Sequence, residues 1–184
     1  AFLKLFFGVT QNLPPEDQHY EFKSLELLKR AAKEEKGARI KIFRVVSSFA
    51  ANKYGSSSYL IFGIREGEPE NLTLTEKERH FLKHVFADYP ENFLNPPAFV
   101  EYAIQPFDFQ DPEGGTLVVL RILGEERPHE CRLDGKCYVR EGAQTRPMTP
   151  LEIILLKEKA EQRRRAKQFM GGEEFQHPLH ERFL

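Results

Sequence analysis

The chain contains no tryptophan and only two cysteines, Cys131 and Cys137. Two thiols are too few for a disulfide framework, and a reducing, cytoplasmic setting is the simplest expectation. Long apolar runs are missing as well. The apolar start, Ala1-Phe2-Leu3-Lys4-Leu5-Phe6-Phe7-Gly8, covers about two helical turns, whereas a bilayer span needs roughly twenty apolar residues. It also lacks the flanks of a secretory signal, so a docked strand or short helix is expected there and no membrane partner. Strong charge of either sign is absent: 27 basic and 28 acidic residues leave a net charge of −1. A chain that coats nucleic acid by charge alone is strongly basic, so any such role must rest on a local basic patch. Neither the Gly-Lys-Ser/Thr of a P-loop nor a Gly-x-Gly-x-x-Gly fingerprint occurs, which sets aside a nucleotide cradle at Gly55-Ser56-Ser57-Ser58. Internal repeats and low-complexity tracts are lacking too.

What is present suits one domain with an appendage. The 184 residues and ordinary hydrophobic share allow a real core, and sixteen phenylalanines place much of it in phenyl rings. Pro14-Pro15 marks a turn between Asn12 and Asp17. His19–Lys23 alternates as a short half-buried strand, with Tyr20 and Phe22 inward and Glu21 and Lys23 on the polar face. A helix over Ser24–Lys36 should stop at Gly37. Ile42, Val45, Val46 and Phe49 then recur at helix spacing in a second, central helix over 38–51. Ser58–Ile64 reads as an interior strand covered on both faces. Thr75-Glu76-Lys77-Glu78 is a capping box that opens a third helix. Strands follow over Phe99–Ile104 and Thr116–Leu123, with Asp111 and Glu113-Gly114-Gly115 between them. Asp134-Gly135 closes a hairpin, and Thr149-Pro150-Leu151-Glu152 caps a last helix whose apolar residues are Leu151, Ile154 and Leu155. From Lys157 that helix loses its apolar face. The organisation expected is a domain over 1–157 and a basic helix extension and tail over 158–184.

The order of these stations resembles the Schlafen-type AlbA-like domain, a nucleic-acid-binding module. Glu16 is followed by Glu21-Phe22-Lys23, Phe49-Ala50-Ala51-Asn52, Gly55-Ser56, Gly63-Ile64 and Tyr138-Val139-Arg140-Glu141-Gly142. The resemblance runs from about residue 10 to about residue 157. It implies an α+β fold with a mixed, mostly antiparallel sheet of about five or six strands flanked by helices. It also implies a regulatory or defence-related domain that contacts the phosphate backbone of DNA or RNA. Two departures stand out: the Gly-Gly turn is about two residues longer, and Arg65 replaces the acid that often follows the Gly-Val strand end.

Nuclease members of that family gather three carboxylates to cut RNA. By position Glu16 and Glu21 match two of them, and Glu66 is the nearest substitute for the third. Together they would hold Mg²⁺ or Mn²⁺ and activate water on a phosphate. Arg65 could instead pair with Glu21 and occupy the metal's place. A metal-dependent endoribonuclease acting on tRNA or rRNA is therefore one alternative. A homodimerising interaction module, using the apolar start and the tail, is another. The residues expected to contact phosphate are Lys23, Lys53, Arg140, Arg146, Arg163, Arg164 and Arg165, since guanidinium forks match phosphate geometry. The plainer reading of the arginine block is a solvated helix end that complements the helix dipole. His129, Cys131 and Cys137 flank the hairpin and could supply three zinc ligands, with His177 or His180 as a fourth, although two ordinary thiols are the commoner case.

Overall fold

A helix buried on every side along its second half organises the molecule. The computed structural model describes residues 16–66, 68–106 and 115–169. Strand β1 (Tyr20–Lys23) leads into α1 (Leu25–Ala32) and α2 (Lys36–Ala50). Strands β2 (Ser57–Phe62), β3 (Ile64–Arg65) and β4 (Glu68–Pro69) follow, then α3 (Glu76–Lys83), which continues as a π-helical turn over His84–Asp88. After β5 (Leu94–Asn95) come β6 (Val100–Pro106), β7 (Thr116–Leu123), β8 (Glu130–Cys131), β9 (Lys136–Glu141) and β10 (Gln144–Pro147). Helix α4 (Pro150–Phe169) ends the described chain.

The architecture is α+β, as expected, but the strands divide differently. Two four-stranded sheets replace the single larger one, ordered β1-β2-β7-β6 and β10-β9-β8-β5, with β3 and β4 forming a separate ribbon. Among the described strands only β1 and β2 pair in parallel, and the two helices between them make that crossover. Helix α2 packs against both sheets and against α1, and its Ile42, Phe43, Val45, Val46 and Phe49 are all buried. The division follows from this helix: its second half, Val45 to Ala50, is buried on every side, and two sheets cover it. Phe43 stacks on Phe93 at 4.6 Å between centroids, an aromatic pair worth about 0.5–1.5 kcal/mol beyond its area. Ser47, buried in the same helix, donates to His129 O (2.5 Å) and accepts from Tyr138 N (3.3 Å), which fastens the β8–β9 hairpin to the core.

Three local expectations change. The break between the first two helices lies at Lys33–Glu35 rather than at Gly37, with Glu34 at φ 68°. Gly37 stands in the first turn of α2. Leu151, Ile154 and Leu155 remain exposed on α4, and none of that helix's described side chains is buried. Strand β1 presents its faces the other way round: Glu21 is 5% exposed on the helix side, while Phe22 joins a smaller cluster with Ile61, Ile64, Leu117 and Val119 on the opposite face. Both capping boxes form, with Glu78 Oε2 accepting from Thr75 N (2.6 Å) and Glu152 Oε2 from Thr149 N (2.7 Å). Helix α4 runs unbroken across residue 157. The apolar start, the Pro14-Pro15 turn, the acidic loop up to Gly114 and the tail with His177 and His180 lie outside the described residues.

Candidate nucleic-acid interface

Two places collect the expected site residues, one buried and one open. The buried one begins at Asp17, whose Oδ1 accepts from His19 N (2.6 Å) and Tyr20 N (3.0 Å) and turns the chain into β1. Asn52, just past α2, donates to Gln18 O (2.9 Å) and Ser58 Oγ (3.1 Å), holding that entry loop against β2. Arg140 reaches into this corner from β9. Its side chain is 1% exposed, pairs with Glu21 (Nη2–Oε2 2.5 Å) and lies over the Phe49 ring at 5.2 Å. Its nitrogens donate to Asp17 O (3.0 Å), Thr145 Oγ1 (3.1 Å) and Tyr20 O (3.3 Å). Lys23 closes the cluster with an ion pair to Glu21. Arg140 was expected to face phosphate; here it is a buried tie between β9 and β1, with its donors already engaged. The shared landmarks Glu21, Phe49, Asn52 and Arg140 thus form one structural joint.

The open place lies where the turn after α2 meets the basic half of α4. Gly55 N donates to Gly124 O (2.8 Å) and Gly124 N to Ser56 O (2.7 Å), docking the Gly/Ser turn on the end of β7. A Cβ on Gly124 would stand 2.4 Å from Lys53 O and 2.5 Å from Ser56 Oγ, so only glycine admits this approach. The turn carries Lys53, which is exposed, and Tyr54, which is 44% exposed. Arg163 extends from α4 with its guanidinium 5.2 Å above the Tyr54 ring, donates to Glu126 O (2.7 Å) and pairs with the Glu126 carboxylate. Lys159 lies 3.5 Å from the same carboxylate. Between these elements runs a groove of about 510 Å³ lined by Tyr54, Pro96, Glu125, Arg127, Pro128, Lys157, Ala160, Glu161, Arg163 and Arg164.

The other expected arginines also have protein partners. Arg164 donates to Glu161 (2.8 and 2.9 Å), as does Arg165 (3.0 Å), yet their side chains remain 63% and 67% exposed. Hydrogen bonds from Arg164, then Arg165, hold the Glu161 carboxyl down to about 2. Arg146 grips Glu152 with both terminal nitrogens (2.7 and 2.9 Å) and also pairs with Glu141. Those carboxylates, Glu152 first, push the Arg146 guanidinium's pKa up, and Arg146 in turn holds Glu152 down to about 2.

The sequence profile of the family described as Schlafen, AlbA_2 matches residues 16–149, from Glu16 to the cap of α4. The chain belongs to this family. Membership points to a nucleic-acid-related role. The crystal structure of the DIP2311 protein from Corynebacterium diphtheriae is similar, with a TM-score of 0.53 and 16% identity over 85% of this chain. At that identity the likeness shows a shared fold, and this chain spans 27% of that protein's length. No curated protein sequence matches the chain. The family match takes in Glu21, Lys53, Tyr54, Arg127 and Arg140, whereas Lys157 and Arg163–Arg165 lie beyond it.

The three carboxylates considered as a metal centre do not fit a metal here. Glu21 is neutralised by Arg140 and Lys23, where Arg65 had been considered as its partner. Arg65 instead lies 4.0 Å from Glu66, whose side chain is 88% exposed. Glu16 accepts from Phe22 N (2.9 Å), occupying a donor of the sheet-edge strand β1. Among the described residues no group of three or more His, Cys, Asp or Glu is placed to hold a metal ion, and this covers His129, Cys131 and Cys137 as well. His129 is fully buried with Nδ1 2.8 Å from Pro96 O. Burial pushes the Cys131 thiol up to about 11 and raises Cys137 too. No described helix is long and apolar enough to cross a membrane.

Tyr54, Arg127 and Lys157 were not singled out in the sequence. Tyr54 had a signal, an aromatic ring inside an otherwise small and polar turn. Arg127 and Lys157 had none, because they join the groove only through the packing of α4 on the β7–β8 loop.

Proposed function

We propose that the protein binds nucleic acid through the groove between α4, the Gly/Ser turn and the β7–β8 loop. The observation that carries this reading is the groove's makeup: four basic side chains (Arg127, Lys157, Arg163, Arg164) against two acidic ones (Glu125, Glu161), on a chain whose net charge is −1. Lys53 and Arg165 stand exposed on the neighbouring turn and helix. Arg127 pairs with Glu125, Arg163 with Glu126, and Arg164 and Arg165 with Glu161. Exposed pairs are weak and screened, so Arg164 and Arg165 can exchange Glu161 for a phosphate. Buried Arg140 cannot make that exchange. Binding by fluorescence anisotropy, repeated from 50 to 300 mM salt, tests the reading. The affinity should fall steeply with salt, and Arg164→Ala should reduce the log–log slope by about one. A flat salt response would remove it.

One observation favours self-association as a second reading. Leu151, Ile154 and Leu155 share one face of α4 and are 64%, 52% and 49% exposed. Pairing of this face with a second copy would bury it. Light scattering should then give a dimer mass that Ile154→Glu returns to the monomer; a monomer mass for the unaltered chain excludes it.

A further inference from the structure

The groove at Tyr54 is basic, yet most of its lining surface is apolar. That combination is poorly matched to a duplex, which presents phosphates outward and hides the faces of its bases in the stack. It matches a strand whose bases are unstacked: the flat apolar base needs a dry surface, and the phosphates on either side need cations.

The parts stand in that arrangement. Tyr54, Pro96, Pro128 and Ala160 supply the apolar lining. Tyr54 is 44% exposed, and the guanidinium of Arg163 over its ring fixes its orientation. Ring and guanidinium plane are both surfaces on which bases stack. Arg163 is itself anchored to Glu126 from the loop that follows β7, so the platform is held by two elements. Arg127, Lys157 and Arg164 line the same groove, and the exposed Lys53 precedes Tyr54 on the turn. A volume of about 510 Å³ lies within the range of small-ligand sites, enough for a nucleotide unit.

We infer that the groove takes single-stranded nucleic acid, with one base stacked on the Tyr54–Arg163 platform and the flanking phosphates against the surrounding basic side chains. This rests on the nucleic-acid reading above and narrows it to one strand state and one anchoring contact. Base–aromatic stacking tolerates any base, so a composition-independent preference for single strands is expected.

The test uses the full chain and three labelled 12-mers at 100 mM salt: oligouridylate, oligothymidylate and a DNA duplex. At least one single strand should bind about tenfold or more tightly than the duplex. Tyr54→Ala should weaken that strand by about 5- to 100-fold and leave the salt slope unchanged, because a stacking contact is lost and no phosphate contact. Tyr54→Phe, which keeps the ring, should restore most of the affinity, and circular dichroism should show both variants folded. Duplex binding as tight as single-strand binding, or a Tyr54→Ala variant with unaltered affinity, overturns this inference and leaves the nucleic-acid reading standing. Failure of all three probes overturns both.

Discussion

Arg140→Ala should cost the protein its stability rather than its ligand. The guanidinium is buried at 1% exposure, pairs with Glu21, donates to Asp17 O, Tyr20 O and Thr145 Oγ1, and covers the Phe49 ring. Truncation leaves Glu21 buried beside Lys23 alone and two backbone carbonyls without this donor. Removing one partner of a buried pair costs about 3–5 kcal/mol, at least about a fifth of a typical domain's 5–15 kcal/mol. For a chain of this size that is a fall in Tm of roughly 6–20 °C. Urea unfolding followed by circular dichroism measures it, and a cycle with Glu21→Gln isolates the coupling, which should exceed about 1 kcal/mol. Replacing both residues with methionine should cost less than Arg140→Ala, because no unpaired charge stays buried. At a temperature where the variant is still folded, its oligonucleotide affinity should match the parent's. A variant that keeps its stability within about 0.5 kcal/mol but loses affinity would show that Arg140 faces the ligand, and the buried-tie reading would be wrong.

Gly124→Ala should destabilise by about 1–3 kcal/mol and weaken oligonucleotide binding together, since the new methyl would displace Lys53 O and with it the turn that carries Tyr54; thermal melts and anisotropy on one preparation check both. The Glu152 carboxyl is held near 2, below its ordinary 4.5, chiefly by Arg146. A lowered carboxyl contributes fully above its ordinary pKa and loses that contribution as the pH falls from about 4.5 to 2. The protection factor at the start of α4, the exchange rate corrected for the intrinsic amide rate at each pH, should therefore fall across that window, and Glu152→Gln should abolish this acid-dependent limb. With its thiol pushed up to about 11, Cys131 should stay unreactive toward Ellman's reagent at pH 8 in the folded protein and react on unfolding in guanidinium; reaction as fast as an exposed thiol would contradict its burial. Added zinc should leave the Tm unchanged.

The local rules were legible in the residues because they need only near neighbours. Thr75-x-x-Glu78 and Thr149-x-x-Glu152 formed their caps, Asp134-Gly135 turned its hairpin, and the spacing of Ile42, Val45, Val46 and Phe49 marked α2 as central. The break at Glu34 was less visible, since a glycine three residues on offered a more familiar stop. The lining of the candidate groove was foreseen in part. Arg163 and Arg164 do line the groove, while Tyr54, Arg127 and Lys157 were overlooked.

Family, α+β class, the succession of the longer helices and strands and the apolar stripe of the central helix were all readable from the residues alone. These follow from periodicity and short-range turn and cap chemistry, which the chain states directly. Only the tertiary structure decided which charges face water. Alternation places Glu21 opposite Phe22 but does not say which face meets the helices, and no local rule brings Arg140 across the chain to neutralise it. The same holds for the groove: Tyr54 and Arg163 are more than a hundred positions apart, and their meeting depends on where α4 comes to rest. Charge pairing between distant residues is a property of the packed molecule, so burial, not residue type, separated the arginine that holds the fold from those left at the surface.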